Sequence, residues 1–185
     1  MVIRGVIFDL DGVLISTDEM HYIAWSELAG REGIPFTRED NHRLRGVSRM
    51  ESLEIILEKS ERAFSPERKA AMAEAKNARY RELLATLTPR DLLPGARAMV
   101  EALRARGVKT AVGSSSRNAR EILDRVDLSR LLDVVVDGTD IRRSKPDPEV
   151  FLLAAERLGL RPAECLVVED AAAITLGSSM AMGTR

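Results

Sequence analysis

Cysteine is nearly absent: Cys165 stands alone among 185 residues. An intrachain disulfide framework and a cysteine zinc cluster are therefore excluded. An excess of one charge is missing too. Lys and Arg number 28 against 29 Asp and Glu, a formal charge of −1, which excludes a globally basic chain that coats nucleic acid. No apolar run approaches the roughly 20 residues that cross a bilayer. The first eight residues carry Arg4 and run into Asp9, which does not fit a secretory signal. The expected location is the cytoplasm, with no membrane and no nucleic-acid partner. Internal repeats and low-complexity tracts are also missing. What is present is ordinary for a globular chain: 45% apolar and 31% charged residues, enough for a sizeable core. The length fits one domain carrying a modest insertion.

Four short apolar runs read as buried strands: residues 2–8, 108–112, 133–136 and 165–168. Helical patterns lie between the later runs, at 95–106, 117–131 and 148–158. Strand–helix alternation from residue 95 onward predicts a doubly wound, Rossmann-like parallel sheet, an α/β fold. Residues 15–90 break the rhythm. They hold no convincing strand and helical stretches near 18–32, 38–44, 49–60 and 66–87. In the last, Met72, Ala75, Arg79 and Leu83 recur near helical spacing. The expected division is a discontinuous core domain of residues 1–14 and 93–185, with an inserted helical domain at 15–92. Hinges are expected at 13–17 and 88–94, where Thr88-Pro89 and Leu93-Pro94-Gly95 break structure.

In such sheets ligands sit beyond the carboxyl ends of the strands. Every predicted strand ends in polar or small residues. Asp9-Leu10-Asp11-Gly12 follows the first, and Gly113-Ser114-Ser115-Ser116 the second. Asp137-Gly138-Thr139-Asp140 follows the third, and Glu169-Asp170 the fourth. Each has a plain structural explanation. Asp9 and Asp11 suit a solvated turn, Glu169-Asp170 and Ser114 suit helix caps, and Lys145 suits an exposed charge. Together they offer a nucleophile, a hard-oxygen metal site, an anion cradle and a cation. Phosphoryl transfer needs those four parts, because it depends on positioning and charge neutralisation.

Phe8-Asp9-Leu10-Asp11-Gly12-Val13-Leu14, Gly113-Ser114-Ser115-Ser116, Ser144-Lys145-Pro146-Asp147-Pro148 and Val168-Glu169-Asp170 resemble, in order, the four signature motifs of the haloacid dehalogenase superfamily. The helical insertion falls where that family carries its cap. The resemblance implies that Asp9 is the nucleophile and becomes an aspartyl-phosphate, with Asp11 as general acid/base. It implies that Ser114, Ser115 and Lys145 hold the transferring phosphate. Mg²⁺ would be held by Asp9, Asp170 and the Asp11 backbone carbonyl, with Glu169 beside them as ligand or neighbour. A second acid at Asp11 fits phosphatases and mutases, which must protonate a leaving oxygen.

The helical insertion resembles that of the superfamily's phosphosugar mutases. Leu44-Arg45-Gly46-Val47-Ser48-Arg49 with Ser52 looks like their substrate-reading segment. Thr17, His21 and Trp25 near the first hinge match too, as do Lys76, Asn77 and Tyr80 in the last helix and Ser116, Arg117 and Asn118 on the core. The implied reaction interconverts β-glucose 1-phosphate and glucose 6-phosphate through a sugar bisphosphate. Arg49 with Ser116, Arg117 and Asn118 would hold the second phosphate, since arginine suits bidentate phosphate binding. A simple sugar-phosphate phosphatase and an inactive sugar-phosphate-binding relative remain as alternatives. Taken alone, Trp25 suits a core, His21 a structural role and Arg49 a surface cation.

The family resemblance favours a monomer. It also implies that the helical domain swings on its hinges, closing Arg49 and Lys76 towards Ser116 and Asn118. The sequence departs from the family after Asp170. A small-residue helix is expected at 171–182, yet Gly177-Ser178-Ser179 interrupts it. The strand and helices that follow in the family are not matched, so the strand ending at Asp170 is expected to be an exposed edge.

Overall fold

The computed structural model describes residues 2–170. Its sheet has four parallel strands, β1 (Gly5–Phe8), β2 (Lys109–Gly113), β3 (Val134–Val136) and β4 (Cys165–Val168), in the order β3-β2-β1-β4. The fold is α/β, as expected. β1 is central and wholly buried, which explains why its sequence is a continuous apolar run rather than an alternating one. It begins at Gly5 rather than Val2, because both neighbours start pairing there, at Lys109 and Cys165. Val2 lies beyond that ladder and is exposed.

The described residues form two compact units, residues 2–16 with 87–170 and residues 17–86. In the first, α5 (Ala96–Ala105), α6 (Ala119–Arg125) and α7 (Glu149–Arg157) connect the strands. α7 packs on β1, β2 and β3, burying Val150, Phe151, Ala154 and Ala155 against Ile7, Ala111 and Val136. The helix expected at 117–131 stops at Arg125. Val126 and Leu128 are both fully buried, and the chain turns between them at Asp127, φ 53°. Aspartate tolerates that left-handed conformation better than most residues.

The second unit holds α1 (Asp18–Arg31), α2 (Arg38–His42), α3 (Arg49–Leu57) and α4 (Pro66–Leu84). Local signals start three of them. Thr37 with Asp40 and Ser48 with Glu51 form capping boxes, and Ser65 caps α4 ahead of Pro66. α4 packs on α1 and α3, but not by the face expected. The buried stripe is Met72, Ala73, Lys76, Tyr80 and Leu84. Ala75 is exposed, and Arg79 pairs with Glu27 and Glu82. A lysine occupies the middle of the buried face, so an apolar count places the stripe one residue away. Among the described residues no helix is long and apolar enough to cross a membrane. The interrupted segment 171–182, and what borders the far side of β4, lie outside the described residues.

Candidate active site

Strand register lines up the tips. Phe8 pairs with Val112 on one side and Val168 on the other, and Gly113 pairs with Val136. The residues that follow therefore emerge at one edge of the sheet in the order Asp137, Ser114, Asp9, Glu169. The chain runs from β1 through β2 to β3 on one side and then returns to β4 on the other side of β1, so the strand order reverses at β1, the position at which doubly wound sheets bind ligands.

Asp9 is buried at the centre of this row. Its backbone N–H donates to Val168 O at 2.8 Å. Lys145 Nζ donates to Asp9 Oδ1 at 2.8 Å and to Glu169 Oε2 at 3.0 Å. This lysine is 7% exposed, and its ammonium lies 4.9 Å from the centre of the Phe151 ring. Gly113 permits that arrangement, since a β-carbon there would press on Phe151 at 3.0 Å. Phe151 was not singled out in the sequence, where it reads as an ordinary core residue of α7.

Carboxylate oxygens of Asp9, Glu169 and Asp170 come within 4.8 Å of one another. Burial first, and then the charge of Asp9, push the Glu169 carboxyl up to about 8 from an ordinary 4.5. Two acids so close favour one shared proton or a cation between them. The donor set is all oxygen, which suits Mg²⁺ rather than a softer metal. Gly12 makes room for it. Its φ is +81°, and a β-carbon there would overlap the Asp170 carboxylate. Asp11 sits in the same turn, half-buried, bridged to Ile15, with Gly12 N–H donating to Ile15 O at 2.8 Å.

The loop after β2 is tied inward. Ser114 N–H donates to Val136 O at 3.0 Å, and Ser114 Oγ accepts from Ser116 N–H at 3.1 Å. Ser115 Oγ accepts from Lys145 N–H at 3.4 Å, and Ser116 Oγ from Asn118 N–H at 3.2 Å. Ser114, Ser115, Ser116, Arg117 and Asn118 thus form one compact segment joined to the lysine loop.

The remaining expected residues belong to the helical unit. Thr17 Oγ1 and Tyr80 Oη share a hydrogen bond of 2.8 Å. His21 stacks at a tilt on Tyr80, and its Nδ1 lies 2.8 Å from Lys76 Nζ. Burial, then the charges of Lys76 and Arg49, hold His21 well below its usual range, so Nδ1 accepts from the lysine. Lys76 is 3% exposed, with its ammonium 4.6 Å from the Trp25 ring centre and 4.4 Å from that of Tyr80. Trp25 is 2% exposed and is part of this unit's core, as are Leu44 and its neighbour Val47. Ser52 is buried behind the start of α3. Arg45 pairs with Asp18 at 2.5 Å, Gly46 turns the chain at φ 75°, and Arg49 pairs with Glu74 at 2.7 Å. Glu74 was not anticipated, since a lone exposed glutamate on a helix carries no signal.

The profile of the haloacid dehalogenase-like hydrolases matches residues 3–176. The chain is 43% identical over 172 residues to a β-phosphoglucomutase of Bacillus subtilis, covering 92% of this chain and 76% of that one. It is 36% identical over 170 residues to a phosphorylated carbohydrates phosphatase of Thermotoga maritima, covering 90% and 76%. A crystal structure of β-phosphoglucomutase from Clostridium difficile superposes with a TM-score of 0.88 at 39% identity, covering 93% of this chain and 78% of that one.

Proposed function

The chain belongs to the haloacid dehalogenase-like hydrolases, and on that premise we propose that it is a Mg²⁺-dependent phosphosugar mutase. The reaction we assign interconverts β-glucose 1-phosphate and glucose 6-phosphate. The observation that carries the chemistry is the buried cluster of Asp9, Lys145 and Glu169 at the sheet's switch point, with Lys145 within 3.0 Å of both acids. The 43% identity to a β-phosphoglucomutase favours mutase over hydrolase.

In this reading an Asp9 carboxylate oxygen attacks phosphorus and forms an aspartyl-phosphate. Asp11 donates a proton to the departing sugar oxygen and recovers one from the hydroxyl that attacks in the return step. Lys145 trades its contact with Asp9 for the phosphoryl oxygens, and Ser114 and Ser115 donate to the same group. Asp9, Glu169, Asp170 and the Asp11 carbonyl would hold Mg²⁺, which supplies charge neutralisation of the phosphoryl group. The unit of residues 2–16 and 87–170 acts as the catalytic core. The unit of residues 17–86 acts as the cap that reads the sugar, through Thr17, His21, Lys76 and the segment from Leu44 to Ser52. Arg49, Ser116, Arg117 and Asn118 take the phosphate that is not being transferred. The expected species is a monomer working in the cytoplasm.

A phosphatase is the second reading, favoured by the 36% identity to the phosphorylated carbohydrates phosphatase. One coupled assay separates them: β-glucose 1-phosphate with and without Mg²⁺ and a bisphosphate primer. Glucose 6-phosphate as product means mutase, and inorganic phosphate means phosphatase. No product from either route leaves a binding protein.

A further inference from the structure

Three of the four strand tips have a part in the proposed chemistry. The tip of β3, Asp137-Gly138-Thr139-Asp140, has none. Yet Asp137 is 2% exposed, and a carboxylate is buried so fully only when its partners replace water. Its Oδ1 accepts from Thr139 N–H at 2.8 Å and Thr139 Oγ1 at 2.6 Å. Its Oδ2 meets Arg120 Nε of α6 at 2.9 Å. Asp140 closes the turn by accepting from Asp137 N–H at 3.0 Å. It also binds Arg120 at 3.0 Å and Arg157 of α7 at 2.8 Å. The turn is thus pinned to two helices by two carboxylates and two arginines.

Its free side is pressed against the loop after β2. Gly138 N–H donates to Ser116 O at 3.2 Å. A β-carbon on Gly138 would overlap the Ser115 carbonyl oxygen and stand 3.1 Å from both Arg117 N and Arg117 Cγ. The atoms in the way are mainly backbone, so no side-chain rotation relieves the overlap. Gly138 has no left-handed φ to explain it. Close approach is the reason this position is glycine.

We infer that the Asp137–Asp140 turn is a brace for the phosphate-facing loop, with Gly138 as its point of contact and a positioning residue for Ser114–Asn118. The inference rests on the proposed role of that loop in holding phosphate. Phosphoryl transfer gains its rate from placement, and a displacement of about 1 Å in a positioned group costs on the order of a hundredfold. Arg120 acts one step further out, by holding the turn that holds the loop.

The test compares the full-length wild type with Gly138→Ala and Arg120→Met, measuring inorganic phosphate affinity, Mg²⁺ affinity, melting temperature and β-glucose 1-phosphate turnover. Gly138→Ala should weaken phosphate binding about tenfold or more and lower kcat/KM on the order of 10- to 100-fold. Mg²⁺ affinity should stay within about twofold, because the acids of the metal site lie at the tips of β1 and β4. Arg120→Met, at a half-exposed position, should shift phosphate affinity in the same direction by a smaller factor, and it decides the matter if Gly138→Ala does not fold. A folded Gly138→Ala protein with wild-type phosphate affinity overturns the brace. So does parallel loss of phosphate and Mg²⁺ affinity with melting temperature, which is the mark of general destabilisation. A wild type that binds phosphate but converts no sugar phosphate ends the mutase reading, and the phosphate titration still decides the brace.

Discussion

Gly12 is glycine for two independent reasons: a left-handed backbone at φ +81° and the Asp170 carboxylate occupying the place of its missing side chain. Gly12→Ala should therefore lose about 1–2 kcal/mol of stability to backbone strain. It should also weaken Mg²⁺ binding about tenfold by displacing Asp170, as titration calorimetry of the folded variant would show. The Asp-x-Asp-Gly pattern was legible as a turn and as candidate chemistry, because aspartate and glycine carry both meanings on their face. That glycine also clears space for an acid 158 positions away in sequence was not legible, since only the β1–β4 pairing brings them together. The cap arginine shows the same limit. Arg49 was visible as a candidate phosphate ligand, but its pairing with Glu74 depends on how α3 lies on α4. Arg49→Ala should cost about 2–4 kcal/mol of transition-state stabilisation on a sugar bisphosphate and far less on acetyl phosphate. Glu74→Gln should do the opposite. An exposed ion pair contributes at most about 1 kcal/mol, so removing the competing carboxylate should lower KM by up to about fivefold. Steady-state kinetics on both substrates measures both effects.

At the scale of elements, the α1–α4 pair shows what amphipathic counting misses. The four strands and the three helices between them follow from β-branched runs and breakers, and the polar tips follow from the strands. In α4 the buried face is centred on Lys76, whose ammonium is held by His21, Trp25 and Tyr80. A pattern that treats lysine as outward-facing cannot find that face. The same cluster has a consequence in acid. His21 is held well below 6.5 chiefly by burial and by Lys76, whereas in the unfolded chain it titrates near that value. Its contribution is fully present above 6.5 and is lost as pH falls from there through the depressed folded value. Stability should decline on that acid side with a slope of up to about 1.4 kcal/mol per pH unit for one proton. His21→Gln should flatten the decline, as read by denaturant melts across the range. An equal slope in both proteins would mean that His21 is not the group responsible.

For the whole molecule, a Mg²⁺ ion held by the acids at the switch point would couple folding to metal. Glu169 is raised to about 8 in the folded state against 4.5. Its contribution is therefore fully present below 4.5 and lost as pH rises through 8. Mg²⁺ bound there would reverse that loss by giving the charged carboxylates a partner. The rise in melting temperature on adding Mg²⁺ should accordingly grow with pH across this window, and chelation should be most damaging at its alkaline end. A pH-independent Mg²⁺ effect would place the cation elsewhere. The central claim, however, is that Asp9 carries the phosphoryl group. Its most direct test is to phosphorylate the protein with labelled acetyl phosphate in Mg²⁺, quench, and locate the label by peptide mass spectrometry. The account predicts label on Asp9, discharged by β-glucose 1-phosphate, and none on a folded Asp9→Asn variant, whose turnover should fall at least about a thousandfold. Label on another residue, or an Asp9→Asn protein that still turns over sugar phosphate at near the wild-type rate, would contradict it.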